Sequence, residues 1–181
     1  MTIIKPFKRT DIIALRYAKR RLRIFSRRYA PPPGYLLIKI DAYGDITSST
    51  HSIKINSYDT LYLLKINFEI YWGVVKLPCI ISESKLPDKF GIHGTADFII
   101  TIPEKFFASL DVGKTNKIYV NCFKSKWTQY WDSMIRIKLS EKDITKKQAP
   151  KAIQNMEDEI NKETIDKFGV SVSKINIKGT N

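Results

Sequence analysis

Alternating apolar and polar side chains between residues 64 and 72 constrain the fold more than any other feature of the sequence. The apolar positions are Leu64, Ile66, Phe68, Ile70 and Trp72, and the positions between them are Lys65, Asn67, Glu69 and Tyr71. Because successive side chains of a β-strand point to opposite faces, this stretch predicts a strand with one buried face. A half-buried strand needs partners, so we expect the chain to form a sheet.

Other segments of strand character supply those partners. They are residues 35–43, 52–56, 74–81, 94–102, 118–120 and 170–178. Pro78 places its segment at a sheet edge, because proline has no backbone N–H to donate. Gly73 indicates a bulge or bend just before that segment, and the slipped alternation between Val172 and Ile175 indicates a bulge in the last one.

Helical patterns lie mainly in the second half of the chain. Pro103 suits the first position of a short helix, and residues 126–139 carry apolar side chains at helical spacing, although their end also suits a strand. Pro150 opens a longer helix that ends at Phe168, where Gly169 suits the C-terminal cap. The order of elements predicts an α+β fold with a mostly antiparallel sheet, C-terminal helices and a closing strand.

Positive charge is concentrated at the N terminus. The formal net charge is +13, and residues 1–30 hold ten basic residues against one acid, Asp11, which is a charge of +9. The other 151 residues hold 21 basic and 17 acidic residues, a charge of only +4. Such an excess calls for an anionic partner, which is nucleic acid, acidic lipid or an acidic protein.

Residues 1–33 are predicted to form a basic helical arm and a proline-rich spacer, ahead of a single α+β domain over residues 34–181. The apolar side chains of the arm recur at steps of three and four, which predicts a helix with an apolar stripe. The stripe comprises Leu15, Ala18, Leu22, Phe25 and Tyr29. The candidate anion-docking residues are Arg16, Lys19, Arg20, Arg21, Arg23, Arg27 and Arg28.

Three interpretations of the arm stay open. One is an amphipathic helix on an anionic membrane, with Leu22 and Phe25 inserted among the lipids. Another is neutralisation of nucleic-acid phosphates by the arginines. The third is a helix that packs on its own domain or on a neighbouring subunit and leaves a solvated basic side. No apolar stretch in the sequence is long enough to span a membrane.

No segment of the sequence indicates a catalytic, cofactor or metal site. Residues 113–115 resemble the end of a phosphate-binding loop, but Ala108 stands where that loop requires a glycine. The residues His51, His93, Cys79 and Cys122 lack a second ligand at metal-binding spacing. The aspartates Asp41, Asp45 and Asp59 suit turns better than a metal cluster. We therefore expect a protein that is not an enzyme and that binds no cofactor or metal.

Three aromatic residues at helical spacing form a candidate interface. These are Trp127, Tyr130 and Trp131. Residues of this type at this spacing are more often core or interface anchors than a platform for stacked bases, and the mild charge of the domain favours the same interpretation.

Three segments follow one another in an order that a known superfamily shares. Residues 32–44 (PPGYLLIKIDAYG) run from a Pro-Gly turn through an apolar strand into a Tyr-Gly turn. Residues 94–107 (GTADFIITIPEKFF) run from a strand into a short helix with phenylalanines, and residues 168–177 (FGVSVSKINI) run from a helix end into the last strand. Together they resemble the SPFH domain of the stomatin, prohibitin and flotillin superfamily over residues 32–178. Ile102 stands where that family often has Asp.

The resemblance implies a non-catalytic scaffold that assembles into rings or cages, often at membranes. Members of the family usually carry a membrane segment before the domain and a long coiled coil after it. The sequence shows neither of these, so we expect the basic arm to provide the attachment to a surface.

We therefore expect a non-enzymatic scaffolding protein that oligomerises and docks to an anionic surface through its N terminus. The alternative is a nucleic-acid-contacting structural component of a virion or of a ribonucleoprotein-like particle. The expected location is cytoplasmic or peripheral to a membrane, since two cysteines offer no disulfide framework; in the alternative, it is the inside of a virus particle.

Overall fold

The structure is a computed structural model that describes residues 1–17, 27–80, 87–110, 115–140 and 144–180. Eleven strands and four helices lie in these residues. The strands are β1 (Thr2–Ile3), β2 (Ile12–Tyr17), β3 (Arg27–Ala30), β4 (Tyr35–Ile40), β5 (Ile46–Ser49), β6 (Ile53–Ile55), β7 (Thr60–Lys65), β8 (Asn67–Ile80), β9 (Pro87–Ile100), β10 (Lys117–Tyr119) and β11 (Val170–Thr180). The helices are α1 (Pro103–Ser109), α2 (Val120–Ser140), α3 (Ala149–Gln154) and α4 (Glu157–Phe168).

The strands form three sheets. The five-stranded sheet has the order β10-β2-β7-β4-β5, the small sheet β1-β3-β6, and the long-strand sheet β11-β9-β8. Among the described strands, only β1 and β3 pair in parallel; all the other pairs are antiparallel. The predicted α+β fold, with mostly antiparallel strands, C-terminal helices and a closing strand, is confirmed.

The main core joins one face of the five-stranded sheet to the long-strand sheet and the helices. Ile38 and Tyr62 of the five-stranded sheet, Phe98 of β9 and Phe123 of α2 all belong to this core. A second, smaller core lies on the opposite face of the five-stranded sheet. There the small sheet covers that face, and Tyr29, Ile53 and Ile55 pack with Leu37, Leu61 and Leu63.

The alternating stretch 64–72 is divided between two strands of different sheets. β7 ends at Lys65 and β8 begins at Asn67, and Ile66 between them is a bend. The N–H of Ile66 donates to the carbonyl of Gly34, while the Ile66 carbonyl accepts from the N–H of Ile100. Because this one residue bonds to both sheets, the alternation continues through the bend although the strand does not.

Most other predicted features of the strands are found in the structure. β8 lies at the edge of its sheet, as Pro78 indicated, and the register of β11 shifts between Val172 and Lys174. The irregularity expected at Gly73 lies later, between Val74 and Leu77. Gly73 itself pairs regularly with His93.

The helices differ from the prediction in their bounds. α2 begins at Val120 and stays helical to Ser140, so the strand alternative for its end is wrong. The single helix predicted from Pro150 to Phe168 is broken into α3 and α4. At the break, the N–H of Met156 donates to the carbonyl of Ile153, three residues back. Gly169 adopts a left-handed conformation with φ of 70° at the end of α4, which confirms its capping role.

The predicted helical arm is wrong at both of its described ends. Leu15 lies in β2 and Tyr29 in β3, and β2 pairs with β7 and β10 inside the five-stranded sheet. Residues 12–14 are all buried, which suits a strand covered on both faces rather than an amphipathic helix. The described strands before Pro33 therefore belong to the folded body. The stripe residues Ala18, Leu22 and Phe25 lie outside the described residues.

Candidate anion-binding face

The small sheet turns one side to the second core and the other side to solvent. Tyr29, Ile53 and Ile55 are at most 8% exposed and point to the core. Because side chains alternate along a strand, the neighbouring Arg28 and Lys54 point outward, and both are exposed. Alternation of apolar and basic residues in these two strands thus produces an outward basic surface.

Arg28 and Lys54 are directly opposite each other on β3 and β6. Like charges at opposite positions of an antiparallel pair repel each other. No Asp or Glu occurs in residues 12–40 or 46–58, which contain β3 and β6. Among the described residues, neither side chain has an ion-pair partner. The two cations are therefore left to attract an anion from outside.

The start of the chain extends this surface. Ile4 is 2% exposed and packs in the second core, whereas Ile3 and Lys5 on either side of it are exposed. Ile3 pairs with Ala30 on β3, the strand that carries Arg28. We call the outward side of the small sheet, with Ile3, Lys5, Arg28 and Lys54, the basic face.

A cleft lies beside the basic face, between β1 and the five-stranded sheet. Its volume is about 560 Å³. Its described lining comprises Thr2, Ile3, Ile4, Lys5, Leu15, Arg16, Tyr17 and Leu63. Apolar walls beside Lys5 suit an amphipathic anion better than a small polar substrate.

Arg16 is held in place by the five-stranded sheet. Its guanidinium lies 3.4 Å from the Oγ1 of Thr60, and its backbone N–H donates to the carbonyl of Asn116. Tyr62 is the cross-strand neighbour of Arg16, and its hydroxyl donates to the carbonyl of Thr115 at 3.0 Å. Burial raises the pKa of Tyr62, and the nearby charge of Arg16 opposes that rise. Arg16 therefore lies on the same face of the five-stranded sheet as Tyr62, which is the main-core face and not the face that the small sheet covers.

The predicted docking residues are only partly placed. Arg16 lies in β2, and Arg27 and Arg28 lie in β3. The remaining predicted cations, Lys19, Arg20, Arg21 and Arg23, lie outside the described residues. The sequence prediction missed Lys5 and Lys54. The pattern Ile53-Lys54-Ile55 signals an outward lysine, but nothing local shows that it faces Arg28 across a strand pair.

The candidate interface at the aromatic residues of α2 is wrong for both tryptophans. Trp127 and Trp131 are completely buried in the main core, and their rings stack with centroids 5.3 Å apart. Trp72 of β8 packs edge-on against Trp131. Tyr130 is half-buried, and its hydroxyl donates to the carboxylate of Glu163 on α4. Trp127 and Trp131 are one turn apart on α2, and this side of the helix packs against the long-strand sheet. The helical spacing of these residues therefore indicated a buried side of α2.

The aspartates considered for a metal site form turns, as expected. The Oδ1 of Asp41 accepts from the N–H groups of Tyr43 and Asp45, at 2.8 Å and 3.0 Å. The Oδ2 of Asp59 accepts from the N–H of Asn56 at 2.8 Å. In the described part of the chain, no three His, Cys, Asp or Glu side chains are grouped so as to hold a metal ion.

No described helix combines the length and the apolar character needed to cross a membrane. No family model matches the chain, and no curated protein matches it.

Proposed function

We propose that the protein is a non-enzymatic structural protein that assembles from copies of itself and docks on an anionic membrane surface through the basic face. The single observation behind the docking role is the facing pair Arg28 and Lys54 on an acid-free sheet. An anion that lies beside both cations relieves the repulsion between them and attracts each of them. The resemblance of residues 32–178 to the SPFH domain supports the scaffold role.

Exposed apolar side chains favour a membrane over nucleic acid as the anionic partner. Ile3 is 66% exposed on the basic face, and Met1, two residues before it, is 85% exposed. Basic residues beside exposed apolar ones suit an anionic lipid surface, where the charge meets head groups and the apolar groups enter the interface. Contact with nucleic-acid phosphates needs the cations alone.

Vesicle binding tests the docking role. Phosphatidylcholine vesicles with and without phosphatidylserine are titrated with the wild type and with Arg28→Gln/Lys54→Gln. Each basic residue near an anionic membrane contributes about 1 kcal/mol, so the double variant should bind about 30-fold more weakly. Lys146→Gln/Lys147→Gln, with the same change of charge at exposed positions elsewhere, is the matched control and should bind like the wild type.

Two further outcomes distinguish the partner. Binding that persists at moderate salt and weakens in Ile3→Ser supports contact with lipid. Tight binding to single-stranded RNA, with a steep salt slope and no affinity for the vesicles, would support the nucleic-acid alternative instead.

Sedimentation of the purified chain tests assembly separately. A clean monomer at high concentration would contradict the scaffold part of the proposal and leave the docking part standing.

A further inference from the structure

Two sheet edges, β5 and β11, carry side-chain contacts from neighbouring elements that oppose an added strand. On β5, the N–H of Ser48 donates to Glu104 of α1 at 2.9 Å. On β11, the N–H groups of Val172 and Ile175 donate to Asn161 and Glu157 of α4. Such contacts occupy the backbone groups that another strand would use.

The second half of β8 is closed in a different way. The register shifts between Val74 and Leu77, and Lys76 has a φ of 56°. The guanidinium of Arg136 donates to the carbonyls of Val75 and Lys76, at 2.7 Å and 3.2 Å. A bulge, a capping arginine and Pro78 together prevent strand addition there.

The first half of β8 has no such protection in the described part of the chain. The N–H of Ile100 donates to the carbonyl of Ile66, so even-numbered residues of β8 turn their backbone groups to β9. The odd-numbered residues therefore point their N–H and C=O groups away from the sheet. These residues are Asn67, Glu69, Tyr71 and Gly73. Within the described residues, no hydrogen bond satisfies their outward backbone groups.

An open groove runs along this edge. It has a volume of about 520 Å³. It is lined by residues 67–71 of β8 and also by Thr10, Asp11, Lys65, Val120, Asn121 and Lys124. The free edge therefore faces accessible space.

We propose that two copies of the chain pair in antiparallel fashion through residues 67–73 of β8, making one six-stranded sheet from two long-strand sheets. The inference rests on the assembly part of the proposed function and specifies its contact. A two-fold axis at Ile70 sets Asn67 opposite Gly73 of the second copy, and Glu69 opposite Tyr71 of the second copy. Each such pair exchanges two hydrogen bonds, so the four pairs form about eight.

Pairing about Ile70 suits β8 better than the two registers in which the axis is shifted by one residue. An axis at Glu69 would set two carboxylates opposite each other, which is unfavourable. An axis at Tyr71 would require the carbonyl of Val75, which Arg136 already occupies. Only the axis at Ile70 uses all four open residues and avoids both conflicts.

Charge complementarity also favours a second copy. Within one chain, Glu69 is directly opposite another acid, Asp97 of β9. The ammonium of Lys178 lies 5.7 Å from the centre of the Tyr71 ring. Pairing about Ile70 would bring Glu69 of the second copy beside Tyr71 and thus toward Lys178. Each copy would provide a cation for the exposed carboxylate of the other.

Proline substitution at the free edge tests the pairing. Tyr71→Pro removes an outward N–H without removing a hydrogen bond to β9. By sedimentation, the wild type should be a dimer and Tyr71→Pro a monomer. Tyr71→Ala loses the same side chain but keeps the N–H, so this matched control should still dimerise. Self-association of Tyr71→Pro at wild-type strength would overturn the pairing.

Hydrogen exchange of the unmodified chain covers the case in which Tyr71→Pro does not fold. The amides of Glu69, Tyr71 and Gly73 should exchange more slowly as protein concentration rises. The amides of Phe68 and Ile70 bond to β9 and should be protected at every concentration. Free exchange at the three outward amides in an assembled sample would contradict pairing at β8 but not assembly itself. A wild type that stays monomeric would contradict both, and vesicle binding remains an independent test of docking.

Discussion

Gly94 stands where β9 passes closest to the closing strand β11. A Cβ atom at Gly94 would lie 2.0 Å from the carbonyl oxygen of Asn176, and this backbone atom cannot move without shifting β11. We therefore expect Gly94→Ala to lower the free energy of unfolding by about 3 kcal/mol, measured by urea denaturation. Gly73→Ala is the control in the same sheet, because its Cβ would have its nearest contact at 3.4 Å from the Cβ of His93. Equal losses in the two variants would contradict this account.

Tyr130 should make the stability of the protein depend on pH in the alkaline range. Burial and the hydrogen bond to Glu163 raise the pKa of the Tyr130 hydroxyl in the folded state. An acid whose pKa is raised by folding contributes stability that is complete below the unfolded pKa of about 10 and is lost as pH rises above it. The fall in stability between about pH 9 and about pH 11 should therefore be smaller in Tyr130→Phe than in the wild type.

Urea denaturation at both pH values measures this difference. Tyr43→Phe is the matched control, because Tyr43 is 93% exposed, and it should show the same fall as the wild type. An unchanged pH profile in Tyr130→Phe would contradict the role given to the contact with Glu163.

At the scale of the elements, α2 protects the second half of β8 from pairing with another strand. Arg136 is held by Asp132 one turn earlier, through contacts of 2.8 Å and 3.1 Å, and donates to the carbonyls of Val75 and Lys76. Arg136→Ala would leave those carbonyls open on an exposed edge, beside Val75, which is 66% exposed. We expect faster aggregation on mild heating, followed by light scattering. Ser133→Ala, on the same helix and exposed, should aggregate at the wild-type rate.

The periodicity of the sequence predicted the elements better than their connections. Alternation in residues 64–72 correctly separated buried from exposed side chains, yet it did not show that Ile66 joins two sheets. Steps of three and four in the N-terminal segment indicated a helix, although the unbroken apolar run at residues 12–14 was the better signal for a buried strand. Local patterns show which side of an element is buried, whereas the partner strand depends on residues far away in the sequence.

The candidate site shows the same limit. Counting charges pointed only to the N-terminal segment. The basic face also contains Lys54, which is opposite Arg28 in the sheet although the two residues are 26 positions apart in the sequence. The open edge of β8 has no sequence signal at all, because it depends on which strand lies beside β8. Pro78 indicated only that some part of the strand lies at an edge.

For the whole molecule, pairing at β8 and docking at the basic face should reinforce each other. The two proposed contacts lie on different sheets, since β8 belongs to the long-strand sheet and the basic face to the small sheet. A dimer carries two basic faces, and a vesicle that engages one face holds the other at high local concentration. Linking two binding sites in this way raises apparent affinity by about 10²-fold or more when both reach the same surface.

Tyr71→Pro should therefore bind phosphatidylserine vesicles more weakly than the wild type, although its basic face is intact. We expect a loss of apparent affinity of about 10²-fold or more in a vesicle titration. Tyr71→Ala, which still dimerises, should bind like the wild type. A monodisperse short-chain phosphatidylserine below its micelle concentration engages one site at a time, so the wild type and Tyr71→Pro should bind it equally. Equal vesicle affinity of a monomeric Tyr71→Pro and a dimeric wild type would show that the two basic faces do not act on one membrane.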